Sequence, residues 1–439
     1  MTKKKKKSRI YIIWIVNLCL ITAVVAFFVW YESVPDVSPE KVLKTYMAHI
    51  SNREYEQMYE MIDAGISGNI SQEDFMKRNS AIYEGIGVDN MKVHITSYDK
   101  EQKEICYETS MDTVAGNVTF ENNVSFIQEK GTYKLVWSDS LIFPELDSTD
   151  KVKVSVTNAE RGQILDRNGR VLAGKGVASS VGVVPGKLEN RDDAISQLAD
   201  LLEMKVEDIE RKLSAKWVKE DSFVPLKTIP KVDELRLLSL EPDKETLAEK
   251  ERHEKLLEIP GVKISDIGIR EYPLGEAAAH LVGYVQNVTA EDLEEHDGEG
   301  YTSNSVIGKS GMEGLFEKEL KGQNGCSITI VDSNGNKKKI IVSTIVENGK
   351  DIKLTIDSNL QKELYEQFKD DKSCSVAMNQ YTGEVLALVS TPSYDNNDFI
   401  RGMSSEKWNA LNEDENKPMY NRFRQVWCPG STFKPIIAA

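Results

Sequence analysis

The residues of this sequence whose types and spacing suit chemistry are Ser431 and Lys434, close to its end. A Pro429-Gly430 turn leads into Ser431, and Lys434 follows three residues later. If a helix begins at this turn, the two side chains lie on one face, beside the free N–H groups of the first helical turn. A serine hydroxyl becomes nucleophilic when a base takes its proton, and a neutral lysine can be that base. The pair therefore predicts the attacking half of an acyl-transfer site.

The Ser-x-x-Lys spacing alone does not identify the site, because it occurs five times, at Ser38, Ser97, Ser148, Ser404 and Ser431. Ser38 precedes a proline and is typical of a helix N-cap. Ser97 falls in a predicted strand, where its lysine would lie on the opposite face. Only Ser431 has a Pro-Gly turn before it and an apolar run, residues 435–439, behind it. Ser431 is therefore the predicted nucleophile and Lys434 the predicted base.

Other reactive side chains indicate no second chemistry. The cysteines are scattered, and Cys428 has no histidine after His296 to activate it, so it is interpreted as a small apolar residue. The histidines show no metal-ligand spacing. Gly308-Lys309-Ser310 resembles the end of a phosphate-binding loop, but position 303 is a serine where that loop needs a glycine. We expect neither a metal nor a cofactor.

A basic cluster at the N-terminus precedes a long apolar run over residues 10–31. At about 1.5 Å of rise per residue, this run matches the ~30 Å core of a bilayer. A cleaved signal peptide is the alternative, but it would have a shorter apolar core and a small-residue cleavage site. The run instead ends in aromatic residues, as at a membrane interface. We predict a cytoplasmic tail over residues 1–9, a single transmembrane anchor over 10–31, and the remainder of the chain outside the cell membrane.

The composition is that of a protein with several folded domains outside the membrane. Hydrophobic residues make up 40% of the chain and charged residues 28%, which is ordinary for globular domains. The net charge of −15, without a basic stripe, argues against nucleic acid as a partner. Membrane lipid is the partner that the apolar run predicts.

The pattern after the apolar run predicts a small α+β domain over residues 36–147. Apolar residues recur at helical spacing from Pro39 to about Ile62, and a second helix is predicted from Ser71 to Tyr83. Alternating segments then predict antiparallel strands, with turns at Gly116-Asn117 and Lys130-Gly131.

Two further units follow in the sequence. The first, residues 151–345, opens on an alternating strand and a pair of short extended pieces around an Asn-Gly turn, and it has a charged, helix-rich middle. The second, residues 350–439, begins with a short strand, a helix opened by Asp357, and a hairpin around Tyr381-Thr382-Gly383. This order is a coherent opening for an α/β acyl-transfer domain.

Six blocks of this sequence together resemble the class B penicillin-binding proteins, in their low-affinity, methicillin-resistance-type branch. They are Arg161-Gly162-x-Ile164-x-Asp166-Arg167-Asn168-Gly169; Tyr272-Pro273-x-Gly275 with Ala279-His280-x-x-Gly283-Tyr284; Gly308-x-x-Gly311-x-Glu313; Thr382-Gly383-Glu384-Val385-Leu386-Ala387; Asn421-Arg422; and Pro429-Gly430-Ser431-Thr432-Phe433-Lys434. The resemblance implies an α+β multidomain fold. Its parts are a nuclear-transport-factor-like domain over 36–147, a β-rich pedestal or dimerisation domain over 151–345, and a β-lactamase-like transpeptidase domain begun over 350–439.

The resemblance also implies the activity. Class B penicillin-binding proteins are peptidoglycan D,D-transpeptidases, in which Ser431 would attack a D-Ala-D-Ala stem peptide and Lys434 would take and return the proton. β-Lactam antibiotics would acylate the same serine, slowly in this branch. Stem peptides, β-lactams, and a glycosyltransferase or other cell-wall synthesis protein are the partners that the resemblance implies.

The sequence departs from the family pattern in one respect. Family members carry Ser-x-Asn and Lys-Thr-Gly or Lys-Ser-Gly elements after the nucleophile, and here Ser67-Gly68-Asn69 and Lys309-Ser310-Gly311 both precede Ser431. We therefore expect the 439 residues to be a C-terminally truncated fragment that is inactive alone. Two alternative functions remain open from the sequence: a serine enzyme that hydrolyses or senses β-lactams, and a non-catalytic, membrane-anchored cell-wall scaffold.

Overall fold

The computed structural model describes residues 38–129, 132–233, 237 and 244–438. The predicted tail and membrane anchor, the Lys130-Gly131 turn and Ala439 lie outside these residues. Within them, no helix combines the length and the apolar character that a bilayer crossing needs.

The helices begin and end as follows: α1 Pro39–Ser51, α2 Tyr55–Glu60, α3 Gln72–Gly85, α4 Arg191–Leu202, α5 Val206–Leu213, α6 Lys244–Glu258, α7 Ala279–Val282, α8 Ala290–Glu295, α9 Gly311–Leu315, α10 Glu317–Lys321, α11 Ser358–Phe368, α12 Asn397–Arg401, α13 Ser405–Glu413 and α14 Lys434–Ala438. The strands are β1 Asp89–Asp99, β2 Glu104–Thr113, β3 Gly116–Glu129, β4 Thr132–Leu135, β5 Lys151–Thr157, β6 Ile164–Leu165, β7 Val171–Val183, β8 Val224–Pro230, β9 Val262–Glu271, β10 Val285–Asn287, β11 Val306–Gly308, β12 Gly325–Val331, β13 Lys337–Thr344, β14 Ile352–Lys353, β15 Ser373–Met378 and β16 Val385–Thr391.

One compact unit contains the first helices and an antiparallel sheet in the order β1-β2-β3-β4. Its apolar core is built from the inward faces of α1, α2, α3 and this sheet. The helix predicted over 71–83 is confirmed as α3, with the Ser71 hydroxyl accepting a hydrogen bond from the N–H of Asp74 at 3.1 Å. The segment predicted as helical over 39–62 is two helices, because Arg53 takes a left-handed conformation (φ 60°) that ends α1.

The same unit also includes strands from far along the chain. The antiparallel sheet β13-β12-β5 belongs to it, and Ile328 and Ile330 of β12 are fully buried in its core. The described residues of this unit thus lie within 38–157 and 325–345, so that β5, β12 and β13 of the predicted 151–345 pack with it. Strands that are far apart in the sequence, such as β5 and β12, can pair with each other. The local residue patterns on which the prediction rests contain no information about such long-range pairing.

The described residues of the second compact unit lie within 158–324 and 346–438. Its largest sheet runs β14-β6-β7-β8, and β9 pairs along the other edge of the long strand β7. The Asn-Gly turn predicted after Asp166 is confirmed between β6 and β7, with Gly169 at φ 83°. In the helix-rich middle, α4, α5 and α6 form as expected, but β8 was not predicted. It is an edge strand that contains Pro225 and Pro230, residues that usually interrupt strands.

The elements that precede Ser431 agree with the sequence. Asp357 caps α11, its carboxylate accepting hydrogen bonds from the N–H groups of Asn359 at 3.0 Å and Leu360 at 3.3 Å. Strands β15 and β16 form the predicted hairpin, and α11 packs on β16. The Gln361 side chain fixes this packing: its NH₂ group donates a hydrogen bond to the carbonyl of Leu388, and its oxygen accepts one from the N–H of Leu388, each at 2.8 Å.

Candidate active site

Ser431 lies in a short 3-10 turn, Gly430–Phe433, that leads directly into α14 at Lys434. Gly430 adopts φ 54°, the left-handed conformation that glycine takes without strain. Helical structure therefore starts at the Pro-Gly turn as predicted, but its first turn is 3-10 and the α-helix begins only at Lys434. Pro435 at the second position of α14 favours that start, since its missing N–H would have no partner there.

Both predicted site residues are exposed. The Ser431 and Lys434 side chains are on the surface of the second unit, and within the described residues neither donates or accepts a hydrogen bond. The pair is therefore placed at a helix start, accessible to a substrate. The assignment of nucleophile and base to these residues stays a prediction from the sequence.

Arg422 holds the loop that leads to Ser431. Its buried guanidinium donates to the carbonyl oxygens of Asn416 at 2.6 Å and Tyr420 at 3.1 Å. Its backbone N–H donates to the Ser390 hydroxyl at 3.0 Å, and its carbonyl accepts from the Trp427 indole at 2.8 Å. One residue thus ties the loop to itself, to strand β16 and to the turn before Pro429.

His280 of α7 also holds the loop that leads to Ser431. Its imidazole is buried, and Nε2 lies 2.8 Å from the carbonyl oxygen of Pro418, to which it donates. Burial lowers the pKa of His280 to about 4, so the imidazole is neutral near pH 7. The His280 carbonyl in turn accepts a hydrogen bond from the Asn421 amide at 3.3 Å.

Two asparagines at the start of α12 extend this attachment. Asn397 pairs with the backbone of Tyr272, accepting from its N–H and donating to its C=O, both at 3.0 Å. Asn396 donates to the carbonyl of Gly283 at 2.7 Å. Tyr272, Gly283 and both asparagines are buried. Buried amides with backbone partners fix the position of a segment because each lost bond would leave an unsatisfied polar group.

A carboxylate of the first sequence block reaches α11. Asp166 is fully buried and accepts hydrogen bonds from the Ser358 hydroxyl at 2.7 Å and from the N–H groups of Asn168 at 2.7 Å and Arg170 at 2.9 Å. Burial raises the pKa of Asp166, but these donors outweigh it and leave the pKa below its usual value. The carboxylate thus joins the β6–β7 turn to the start of α11.

A cluster of charges surrounds the buried Glu313. Glu313 of α9 has no exposed surface; its carboxylate accepts from Arg270 at 2.7 Å and from Arg161 at 2.7 and 2.9 Å. Arg161 also donates to Glu317 at 2.6 Å. Burial alone would lower the pKa of Arg161, but the hydrogen bond and charge of Glu317, with those of Glu313, raise it. A buried charge of this kind needs all its partners, since removing one leaves another uncompensated.

Gly283 of the second sequence block and Gly311 of the third are in close backbone contact. Gly283 has φ 78°, and a Cβ added there would lie 1.8 Å from the carbonyl oxygen of Ser310. Gly311 has φ 56°, and its added Cβ would lie 2.4 Å from the backbone nitrogen of Gly283. Only residues without a side chain fit this contact, which explains why both blocks carry a glycine at this point.

Most of these positions stand out in the sequence, but the sequence predicted no role for them. Arg161, Asp166, His280 and Glu313 all belong to blocks that carried the resemblance, and the structure shows Asp166, His280 and Glu313 buried and Arg161 partly buried, each with hydrogen-bond partners. Their types gave a signal, because charged residues and histidine inside otherwise apolar or glycine-rich blocks are expected to be paired. Their partners are distant in sequence, so only the structure identifies them.

No group that could hold a metal ion is formed by three or more His, Cys, Asp or Glu side chains among the residues that the structure describes. The four cysteines in this part of the chain are free thiols.

Comparisons with known families agree with the order of the blocks. Residues 38–150 match the NTF2-like N-terminal transpeptidase domain, residues 156–354 the penicillin-binding protein dimerisation domain, and residues 373–439 the penicillin-binding protein transpeptidase domain.

Two curated relatives and one solved structure give the degree of similarity. Penicillin-binding protein 3 of Bacillus subtilis is 37% identical over 413 residues, which cover 92% of this chain and 59% of that protein. Peptidoglycan D,D-transpeptidase MrdA of Escherichia coli K12 is 32% identical over 296 residues, covering 66% of this chain and 44% of that protein. The structure of a complex between penicillin-binding protein PBP2 and MreC from Helicobacter pylori matches with 26% identity and a TM-score of 0.46, covering 66% of this chain and 52% of that one.

The fold is thus that of a multidomain α+β penicillin-binding protein. The three domain matches and the named relatives confirm the resemblance to the class B penicillin-binding proteins that was stated from the sequence, while its low-affinity branch stays a prediction. The chain spans 59% of the length of the Bacillus relative and 44% of that of the Escherichia relative.

Proposed function

We propose that the protein is a peptidoglycan D,D-transpeptidase with Ser431 as nucleophile and Lys434 as general base. The observation that carries the proposal is the match of residues 373–439 to the penicillin-binding protein transpeptidase domain, which contains the Ser431-x-x-Lys434 pair. The exposed helix start and the clamped loop before it support the proposal, because a nucleophile must be both accessible and fixed.

The proposed reaction has two steps. Ser431 Oγ attacks the carbonyl carbon of the penultimate D-Ala of a stem peptide, and Lys434 Nζ takes the hydroxyl proton. The peptide bond breaks, the proton passes to the amine of the leaving D-Ala, and an acyl ester remains on Ser431. An amine of a neighbouring stem peptide then attacks the ester and loses a proton, and Ser431 regains its hydroxyl as the cross-link forms.

Two finer proposals go with this function. The protein is held in the bacterial cell membrane by residues 10–31, with its bulk outside; the basic N-terminus and the apolar run support this. Its acylation by β-lactams is slow, a proposal that the NTF2-like domain match supports through its association with the low-affinity branch.

The proposed function is tested by replacing Ser431 with alanine in the protein as the cell makes it. We expect wall cross-linking, measured by muropeptide chromatography, to fall to the level of cells lacking the protein, at unchanged protein abundance. Ser148→Ala is the matched control, since Ser148 is an exposed serine that also precedes a lysine by three positions. Unchanged cross-linking in the Ser431→Ala cells would favour a non-catalytic scaffold.

A hydrolase or sensor of β-lactams is the second candidate, because such proteins share the serine–lysine pair. The lifetime of the penicillin adduct separates the two. A transpeptidase keeps a radiolabelled penicilloyl group through gel separation, whereas a hydrolase releases it and turns over penicillin in solution. Rapid turnover would reject the transpeptidase proposal and leave the nucleophile assignment intact.

A further inference from the structure

A cleft of about 440 Å³ opens in the second unit, away from Ser431. Its walls come from α5 and β8 on one side and from the segment 399–406, around the end of α12 and the start of α13, on the other. Apolar side chains of Met204, Leu226 and Phe399 contribute to the lining together with several charged ones. The volume is within the range of sites that take small ligands, roughly 300–1,000 Å³.

Every carboxylate that lines the cleft has a cationic partner. Glu406 lies 2.9 Å from Lys205. Glu203 lies 3.3 Å from Arg252, and Asp208 lies 2.6 Å from Arg211. The negative charges of the cleft are therefore compensated by residues of the protein itself.

Arg401 in the same lining is different. Within the described part of the chain its guanidinium makes no ion pair and no hydrogen bond, and its Nε is buried without a partner. A buried, unpaired N–H group is unfavourable unless a ligand or water accepts from it. Guanidinium groups match the two oxygens of a carboxylate or a phosphate with parallel hydrogen bonds.

Two lysines add donors to the same lining. Lys212 Nζ donates to the carbonyl of Leu226 and Lys227 Nζ to that of Leu202, each at 2.6 Å. Burial lowers the pKa of both amines. Lys212 Nζ also reaches the Pro225 carbonyl at 3.5 Å, and Lys227 Nζ lies 3.9 Å from the Glu203 carboxylate. Since an ammonium group has three N–H donors, each of these lysines keeps at least one donor for a ligand.

We propose that this cleft binds the oxyanion of a small ligand, a carboxylate or a phosphate, with Arg401 as the main contact and Lys212 and Lys227 as supporting donors. The apolar part of the lining would hold the remainder of the ligand. The site is separate from Ser431 and does not depend on the proposed transpeptidase activity. Its location between α5 and the segment 399–406 means that an occupant contacts both.

Equilibrium dialysis of the purified protein tests this proposal, with radiolabelled inorganic phosphate and with radiolabelled N-acetyl-L-alanine as separate probes at constant ionic strength. We expect saturable binding of at least one probe with one site per chain. Arg401→Gln should weaken it by about tenfold or more, because hydrogen bonds between charged groups are removed. The matched control is Arg191→Gln, an exposed arginine at the start of α4 outside the cleft, which should leave the affinity within about twofold, as expected for an uninvolved surface residue.

The two probes distinguish the sources of the oxyanion. Binding of phosphate alone identifies a phosphorylated ligand, binding of N-acetyl-L-alanine alone identifies a peptide carboxylate, and both outcomes support the site. Thermal unfolding of each variant confirms that it is folded before dialysis. Absence of saturable binding of both probes, or equal binding by wild type and Arg401→Gln, would overturn the proposal.

Discussion

At the scale of single residues, the candidate site combines an exposed pair with buried supports. Ser431 and Lys434 are accessible, whereas Arg422 and His280 behind them are buried and hydrogen-bonded to backbone carbonyls. Exposed side chains with few contacts are free to meet a substrate, and buried ones with several contacts fix the chain. The sequence identified the first kind through a short motif, and only the structure gives the contacts of the second.

The role of Lys434 can be tested against another lysine at the same spacing. If Lys434 is the base, Lys434→Gln should lower the rate of acylation by penicillin by about 10²–10⁴-fold, the usual contribution of general base catalysis. Lys151→Gln removes the lysine of the Ser148-x-x-Lys151 match and should leave the rate unchanged. The rate is measured by stopped labelling with fluorescent penicillin on the protein as the cell makes it. Equal rates for Lys434→Gln and wild type would assign the proton transfer elsewhere.

The glycine contact between two blocks gives a second prediction at this scale. Gly283→Ala would force a methyl group to within 1.8 Å of the Ser310 carbonyl oxygen, while Gly298→Ala, at nearly the same φ of 76°, meets no atom within 4 Å. Strain from the positive φ alone should lower the free energy of unfolding by about 1 kcal/mol in Gly298→Ala. The clash should add on the order of 3 kcal/mol in Gly283→Ala.

Urea denaturation of the two glycine variants measures this difference. Since the two glycines have nearly the same φ, 78° and 76°, the strain from φ largely cancels in the comparison. Equal destabilisation of the two proteins would mean that α7 and α9 separate easily at the glycine contact.

At the scale of secondary-structure elements, the sequence predicted the features that depend on residues close to one another in the chain. Helix α3 follows from the Ser71 cap and the spacing of its apolar residues, and the β15–β16 hairpin from its turn residues. Strand β8 was not predicted because it contains Pro225 and Pro230, which usually interrupt strands and are tolerated here at a sheet edge. The packing of β12 with the first unit was not predicted because its partner strand β5 is far away in sequence. The hydrogen bonds of Asp166 with Ser358 and of Glu313 with Arg270 also join residues that are far apart in sequence, so local patterns do not predict them.

The joint between α7 and the loop before Ser431 should make stability depend on pH. Burial depresses the pKa of His280 to about 4, below the ~6.5 of an unfolded chain. The unfolded state therefore takes up a proton below pH 6.5 that the folded state refuses until about pH 4, and stability falls as the pH drops through this window. From pH 7 to pH 5 the contribution of this residue is a loss of about 2 kcal/mol.

His280→Gln should remove this contribution while keeping a side-chain N–H for the Pro418 carbonyl. The measurement is the free energy of unfolding at pH 7 and at pH 5 for wild type and variant. His296→Gln, which alters a partly exposed histidine of the same unit, should keep the wild-type dependence. A His280→Gln protein with the same loss between the two pH values would show that folding does not depress the pKa of His280.

At the scale of the whole molecule, the family assignment and the contacts within the second unit lead to the same interpretation. The dimerisation-domain match ends at residue 354 and the transpeptidase match begins at 373, yet residues from both lie in one compact unit. The blocks around Tyr272–Tyr284 and Asn396–Arg422 are hydrogen-bonded across that division at several buried positions. The part that would present the nucleophile is therefore built together with the part that precedes it in sequence.

The central claim is that Ser431 is the residue that becomes acylated, and mass spectrometry of the penicillin adduct tests it most directly. The protein as the cell makes it is labelled with penicillin, digested and mapped. We predict one modified peptide, carrying the penicilloyl mass on Ser431, and no modified peptide in the Ser431→Ala protein, while Ser148→Ala is labelled as wild type. A penicilloyl group on a different residue, or an adduct that persists in the Ser431→Ala protein, would contradict the account.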